Sequence, residues 1–167
     1  MANPKILMQT TKGDVTLELF AEQAPKTVEN FLGYVRSGHY TGTLFHRVIQ
    51  GFMIQGGGLD VARREKATRA PIENEAGNGL KNRRGTIAMA RTSDPHSATA
   101  QFFINLVDNA FLDHTGPTPD GWGYCVFGQV VSGMDVVDAI AQVPVTRNNL
   151  SEAFPTQVVA IKAAREL

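Results

Sequence analysis

FHRVIQGFMIQGGG, residues 45–58, decides how this chain is read. Two apolar runs flank Gly51: Val48 and Ile49 before it, then Phe52, Met53 and Ile54. One arginine, Arg47, stands inside the first run. Burying an unpaired charge is costly, and arginine does not escape by losing its proton. Arg47 therefore points to water, or into a site that needs a fixed cation with a fork of N–H donors. In an extended run Arg47 shares a face with Phe45 and Ile49, and beyond Gly51 the residues Met53 and Gln55 share its parity.

Outward from this stretch the pattern is mostly strand. Residues 5–10 and 15–20 flank Thr11-Lys12-Gly13-Asp14, and Val15, Leu17 and Leu19 alternate with Thr16 and Glu18, which predicts an opening hairpin. In APKTVENFLGYVRSGHY, Pro25 suits a first helical turn and Gly38 a stop. Val28, Phe31, Leu32 and Val35 fall at i, i+3, i+4 and i+7, one helical face. Strands are predicted at 44–49, 52–55, 86–91, 101–106, 124–131 and 156–163. The polar stretch 57–84 is expected to wrap the surface without regular structure. Residues 133–141 predict a short helix with Met134, Val137 and Ile140 on one side. About eight strands and two helices suit a mainly β fold: a closed antiparallel barrel, which removes exposed sheet edges, capped by two α-helices.

The bulk numbers fit that frame. A length of 167 residues suggests a single domain, 1–167, able to bury a core without disulfides or metal. Sixteen basic and sixteen acidic residues cancel, which argues against a broad electrostatic grip on nucleic acid. The short basic clusters, Arg63, Arg64 and Lys66 and then Lys81, Arg83 and Arg84, read as solvated loop faces. Cys125, the one cysteine, lies in an apolar run and reads as core. The start, MANPKILMQTTKGD, has no long apolar segment behind basic residues, so neither a signal peptide nor a membrane span is expected, and the cytoplasm is the default compartment. With no heptad or long apolar patch, a monomer is expected.

Several chemistries lack their signatures. There is no GxxxxGK[ST], HExxH, paired CxxC or GxSxG, and His39, His46, His96 and His114 have no metal-ligand spacing. A hydrolytic triad of His46, Ser97 and Asp94 stays open only because triads are defined by geometry rather than by order in the chain.

FHRVIQGFMIQGGG, GTIAMAR at 85–91, SATAQFFINL at 97–106, FLD at 111–113 and VFGQVVSGMDVVD at 126–138 together resemble a cyclophilin, a peptidyl-prolyl cis–trans isomerase. Order and spacing match from Lys5 to about Ala163. DPHSATAQFFIN with GWGYCVFG looks most like the bacterial cytoplasmic branch. The resemblance implies an eight-stranded antiparallel barrel with two capping helices and no cofactor or metal. It implies a catalytic role for Arg47, a proline pocket of Phe52, Met53, Phe103 and Leu112, and polar partners Gln55 and Gln101. His46 belongs to the site region, and Ala90 and Arg91 line the groove for the substrate backbone. Proline-containing unfolded or flexible polypeptides are the implied partners.

The sequence departs from well-known eukaryotic members. Phe111 stands where they commonly carry tryptophan, and Trp122 lies instead in a longer loop. Tyr124 replaces a pocket histidine, Arg91 replaces an asparagine, and the loop around 94–98 is one residue longer. Any cyclosporin binding is expected to be weak, because phenylalanine lacks the indole N–H donor.

An arginine suits this chemistry. The X–Pro amide rotates slowly because its C–N bond is partly double. Twisting removes that resonance and returns a lone pair to nitrogen. A donor aimed there binds the transition state better than either ground state. Gln55 could hold the guanidinium or the substrate carbonyl, and the sequence leaves both open. Singly, Phe52, Met53, Phe103 and Leu112 fit an ordinary core, Tyr124 fits packing, and His46 fits a structural hydrogen bond. A groove that only binds proline segments is the competing function.

Overall fold

The opening hairpin forms as the alternation demands. In the computed structural model, which describes residues 3–167, strands β1 (Lys5–Thr10) and β2 (Gly13–Leu19) pair antiparallel, with Thr10 opposite Gly13. Ile6, Met8, Val15, Leu17 and Leu19 are buried together. Met1 and Ala2, where the N-terminal stretch read above begins, lie outside the described residues.

Helix α1 (Pro25–Arg36) starts at its proline and is followed by Gly38 at φ 76°. Its free N-terminal N–H groups are not capped locally. The carboxylate of Glu75 accepts from the backbone N–H of Thr27 at 2.7 Å and of Lys26 at 3.3 Å. This supplies from a distant loop what a neighbouring serine or aspartate usually gives. The apolar face of α1 enters the barrel core, where the Phe31 ring meets Tyr40, Phe102 and Phe127 at 5.0, 5.9 and 5.1 Å.

The remaining strands are β3 (Thr43–Ile49), β4 (Met53–Asp60), β5 (Thr86–Met89), β6 (Phe102–Asn105), β7 (Val126–Ser132) and β10 (Ala160–Glu166). With β1 and β2 they close an eight-stranded antiparallel barrel in the order β1-β10-β3-β4-β6-β5-β7-β2. A small separate ribbon, β8 (Val145–Thr146) with β9 (Phe154–Pro155), packs Phe154 against Leu44, Leu59 and Ala160 of the barrel. Helix α2 (Met134–Ala141) buries Val137, Ile140 and Ala141, so both capping helices add to the barrel's core. No helix among the described residues is long and apolar enough to cross a membrane.

Among the departures from the sequence expectations, the closing strand β10 begins at Ala160 and runs to Glu166, rather than covering 156–163. Strand β4 runs to Asp60 rather than stopping at 55, through three glycines that carry no hydrophobic signal. Neighbouring groups come too close there for side chains: a Cβ on Gly56 would sit 2.7 Å from the Leu44 carbonyl oxygen, and one on Gly58 would run into the Gln101 side chain. The ribbon at 145–155 falls in polar sequence, too short for a periodicity to register. Finally, Phe45 does not share a face with Arg47. Phe45 pairs with Gly56 and Arg47 with Gln55, so β3 carries one extra residue, His46, in a bulge. The bulge turns Phe45 into the barrel core, against the Phe102 ring.

Candidate active site

Below the bulge, strand parity separates two populations. Val48, Ile54, Ile104 and Ile87 join the barrel core, and they pair across β3, β4, β6 and β5. The alternate residues form a second row, Arg47–Gln55–Phe103–Ala88–Val126, each opposite the next on the neighbouring strand. Met53, Ala88, Ala90, Phe103, Leu112 and Val126 make an apolar cluster separate from the barrel core. The row begins with a cation and an amide and ends in packed hydrocarbon.

A cavity of about 550 Å³ opens over this row, lined by Arg47, Phe52, Met53, Gln55, Ala90, Arg91, Phe103, Phe111, Leu112 and Tyr124. Its floor is buried side chain, with Met53 and Phe103 almost fully covered. Its rim is aromatic: Phe111, 74% exposed, stacks on Phe52 with ring centres 5.6 Å apart and planes at 29°. The Tyr124 ring meets Phe103 edge-on at 5.6 Å, and the Arg91 guanidinium lies 4.5 Å over its face. Arg91 donates through Nε to the Gly123 carbonyl at 3.0 Å and through Nη1 to the Thr92 carbonyl at 2.8 Å. Arg91 is thus wall rather than a free cation. A second hollow of about 200 Å³ adjoins, between Gln55, Ala90, Arg91, Thr92, Ser97, Thr99 and Gln101.

Arg47 stands at the polar end of the row. Its Nε donates to Glu152 Oε1 at 2.5 Å and its Nη1 to Gln55 Oε1 at 3.3 Å, with the Met53 sulfur 4.0 Å from the same nitrogen. Its guanidinium carbon lies 5.8 Å from the Phe52 ring centre. Among the described residues Nη2 has no hydrogen-bond acceptor. The Gln55 amide donates onward to Gln101 Oε1 at 3.1 Å. The amide oxygen of Gln55 therefore takes the guanidinium, one of the two roles its sequence left open. Glu152 in turn is held below the usual carboxylate range, first by the hydrogen bond from Arg47.

Of the residues singled out from sequence, ten line the larger cavity. Gln101 borders the adjoining one. His46 lines neither. It is the buried bulge residue, and its Nδ1 has no hydrogen-bond partner among the described residues. Burial pushes its imidazole below the usual histidine range, and the Arg47 charge pushes the same way. The open hydrolytic triad does not assemble. The Ser97 hydroxyl donates to the Asp94 backbone carbonyl at 2.6 Å, and the Asp94 carboxylate accepts from the His96 backbone N–H. The basic clusters at 63–66 and 81–84 are largely exposed, as expected, although Arg84 also pairs with Asp138 at 2.7 Å.

Two sets of supporting residues escaped the sequence reading. Glu152 is one. The other is a buried amide network beneath the rim. Asn82 Nδ2 donates to the Leu112 and Tyr124 carbonyls at 3.2 and 3.3 Å, and Asn105 Nδ2 donates to Asn82 Oδ1 at 3.1 Å. Asn109 Nδ2 donates to Asn105 Oδ1 at 2.8 Å and to the Phe52 carbonyl at 3.0 Å. The network pins the turn that carries Phe111 and Leu112. An asparagine flanked by lysine and arginine gives no sign of such a role.

Comparison with known proteins gives the family. Residues 5–166 match the family described as cyclophilin type peptidyl-prolyl cis-trans isomerase/CLD. The chain is 60% identical over 160 residues to peptidyl-prolyl cis-trans isomerase cyp18 of Streptomyces antibioticus, covering 96% of each. It is 56% identical over 158 residues to peptidyl-prolyl cis-trans isomerase B of Escherichia coli strain K12, covering 95% of this chain and 96% of that one. Among solved structures, a cyclophilin type peptidyl-prolyl cis-trans isomerase of Cryptosporidium parvum superposes with a TM-score of 0.81 at 28% identity, covering 99% and 98% of the two chains. The same protein crystallised in the presence of the dipeptide ala-pro superposes with a TM-score of 0.78 at 29% identity, covering 96% of each chain.

Proposed function

This chain belongs to the cyclophilin-type peptidyl-prolyl cis–trans isomerases, and we propose that it turns X–Pro bonds with Arg47 as the donor to the proline nitrogen. The observation that carries the reading is the state of the guanidinium. Nε and Nη1 are engaged by Glu152 and Gln55, Nη2 has no acceptor among the described residues, and the side chain lines a cavity of about 550 Å³. A cation fixed in this way needs little reorganisation when the amide twists. The proline ring enters between Phe52, Met53, Phe103 and Leu112, and the flanking backbone runs past Gln55, Ala90 and Gln101.

The magnitudes require both parts. Uncatalysed isomerisation has a barrier of about 20 kcal/mol. A ~10⁵-fold acceleration needs about 7 kcal/mol. One hydrogen bond to a charged donor gives about 1.5–3 kcal/mol net. The remainder has to come from gripping the ring and from excluding water around the amide.

Proline-containing unfolded or flexible chains are the proposed substrates, a reading supported by the relative crystallised with ala-pro. The proposal includes a single-domain monomer in the cytoplasm, a reducing setting that suits a chain whose one cysteine is free and buried.

The test is exchange between the cis and trans forms of an Ala-Pro-Phe peptide, followed by NMR with wild type and with Arg47→Ala, both checked for folding. Accelerated exchange that the variant largely loses, while still binding peptide, supports the reading. Equal acceleration by the variant refutes the role of Arg47. Binding without acceleration by wild type makes the groove a holding site.

A further inference from the structure

We infer that Glu152 is a positioning residue for isomerisation, holding the Arg47 guanidinium through Nε so that the head keeps one orientation at the cavity. The inference rests on the reading of Arg47 as the donor.

The contact joins elements far apart in the chain. Arg47 lies on β3, and Glu152 lies between β8 and β9, with 105 residues separating them. Their side chains are 32% and 46% exposed, so this ion pair contributes little to folding. Its geometry is more informative than its energy. The carboxylate takes Nε through one oxygen only. A two-oxygen fork would also have taken Nη2, which shares that edge of the guanidinium. Gln55 takes Nη1 from another side. Two anchors on different nitrogens restrict rotation of the head about the side chain, and they leave Nη2 as the corner with no acceptor among the described residues.

The anchor is itself held. The Ala153 carbonyl accepts from the Val48 backbone N–H at 3.0 Å, stitching this segment to β3 one residue beyond Arg47. Asn148 Oδ1 accepts from the backbone N–H groups of Leu150 and Ser151 at 2.8 and 3.0 Å, and Ser151 Oγ accepts from that of Ala153 at 3.1 Å. Ser151, Ala153 and Phe154 are buried around the exposed carboxylate. So constrained a backbone keeps the Glu152 carboxylate within reach of the Arg47 Nε. A donor held near its productive angle loses less rate to misalignment.

The experiment compares Glu152→Ala and Glu152→Gln with wild type and Arg47→Ala. The readouts are kcat and KM on the same peptide, Tm, and the NMR signal of the Arg47 Nε–H. Glu152→Ala is expected to lower kcat about tenfold, as for loss of one charge-assisted contact, with KM and Tm nearly unchanged and the Nε–H signal lost to exchange with water. Glu152→Gln keeps an acceptor oxygen at the same reach and is expected to restore both kcat and the signal. In the Arg47→Ala background, removing Glu152 should change nothing further. Wild-type kcat in Glu152→Ala overturns the inference while leaving Arg47 in its role. So does a fall in kcat that only follows Tm, or one that persists in the Arg47→Ala background. Wild-type kcat in Arg47→Ala instead overturns the donor reading on which the inference rests.

Discussion

Gln55 stands directly opposite Arg47 across β3 and β4, and its amide oxygen accepts from Nη1 at 3.3 Å while its amide nitrogen donates to Gln101 at 3.1 Å. The amide is therefore used at both ends, and its orientation is set by needing an acceptor toward the arginine and a donor toward the glutamine. Gln55→Ala removes one anchor of the guanidinium and releases Gln101. Steady-state assay on a proline tetrapeptide should show kcat/KM lower by about tenfold, the effect of losing one contact to a charged group. Gln55 is partly exposed, so the midpoint of thermal unfolding should move little. An unchanged kcat/KM would mean that the Arg47 head is held without this contact.

Phe111 supplies the outer wall of the cavity without the donor that a tryptophan there would carry. Its ring is 74% exposed and already stacked on Phe52, so a larger ring can keep the stack without displacing buried groups. Phe111→Trp is expected to tighten cyclosporin binding by roughly three- to tenfold, the value of one added neutral hydrogen bond. Calorimetric titration of both proteins reads this directly. No gain in affinity would show that Phe111 does not occupy the drug-facing rim.

The limits of the sequence reading follow the same physics. The opening hairpin, α1 and α2 were legible because each carries one buried face with a clear period, as in Val15, Leu17 and Leu19 or Val28, Phe31, Leu32 and Val35. Strand β4 was read short because Gly56, Gly57 and Gly58 have no side chains to alternate. The bulge at His46 was invisible because one inserted residue changes no local composition, yet it reverses the face of Phe45. The cavity residues came from motif resemblance together with parity. Glu152 and Asn82 could not be found that way. Their partners lie 105 and about 30 residues distant, and both look like ordinary loop polars until the barrel closes.

Asn82 offers a test of how the rim is supported. Its buried side chain donates to the carbonyls of Leu112 and, in a half-buried setting, Tyr124, and it accepts from the buried Asn105. Asn82→Ala leaves the Tyr124 carbonyl without its donor and the Asn105 amide one acceptor short, while the Leu112 carbonyl keeps the Tyr124 N–H and the Asn105 amide keeps Thr86 Oγ1. Each buried polar group left unsatisfied costs about 1–3 kcal/mol, part of which water entering the space can recover. Urea unfolding should show a loss of about 2–4 kcal/mol. The turn bearing Phe111 and Leu112 loosens with it, so KM should rise more than kcat falls, because Arg47 is untouched. A variant with wild-type stability, or one that loses kcat alone, would mean that the network does not carry the rim.

His46 and His39 make the folded protein sensitive to mild acid, and the sign follows from their burial. Burial is the main cause lowering both imidazoles below the usual histidine range. For His46 the Arg47 charge adds to that, while Glu152 and a contact to the Leu44 backbone oppose it. For His39 the Gly57 carbonyl opposes it, and Lys66 and Arg69 add to it. In the unfolded chain each imidazole takes up its proton near pH ~6.5. As pH falls below that value, the unfolded state binds protons that the native state refuses, until the lowered folded values are reached. Stability is therefore full above about pH 7 and declines below about pH 6.5, with a slope of at most about 1.4 kcal/mol per pH unit for each histidine. The carboxylates whose values are lowered by ion pairing, Glu73, Asp138, Glu152 and Glu166, act only at lower pH, as the unfolded carboxylates protonate. His46→Leu removes one of the two titrations together with a buried Nδ1 that has no partner among the described residues. Urea unfolding between pH 5 and 7.5 should show a shallower decline in the variant, with little loss at pH 7.5. An identical slope in the two proteins would show that His46 takes up its proton as readily in the folded state as in the unfolded one.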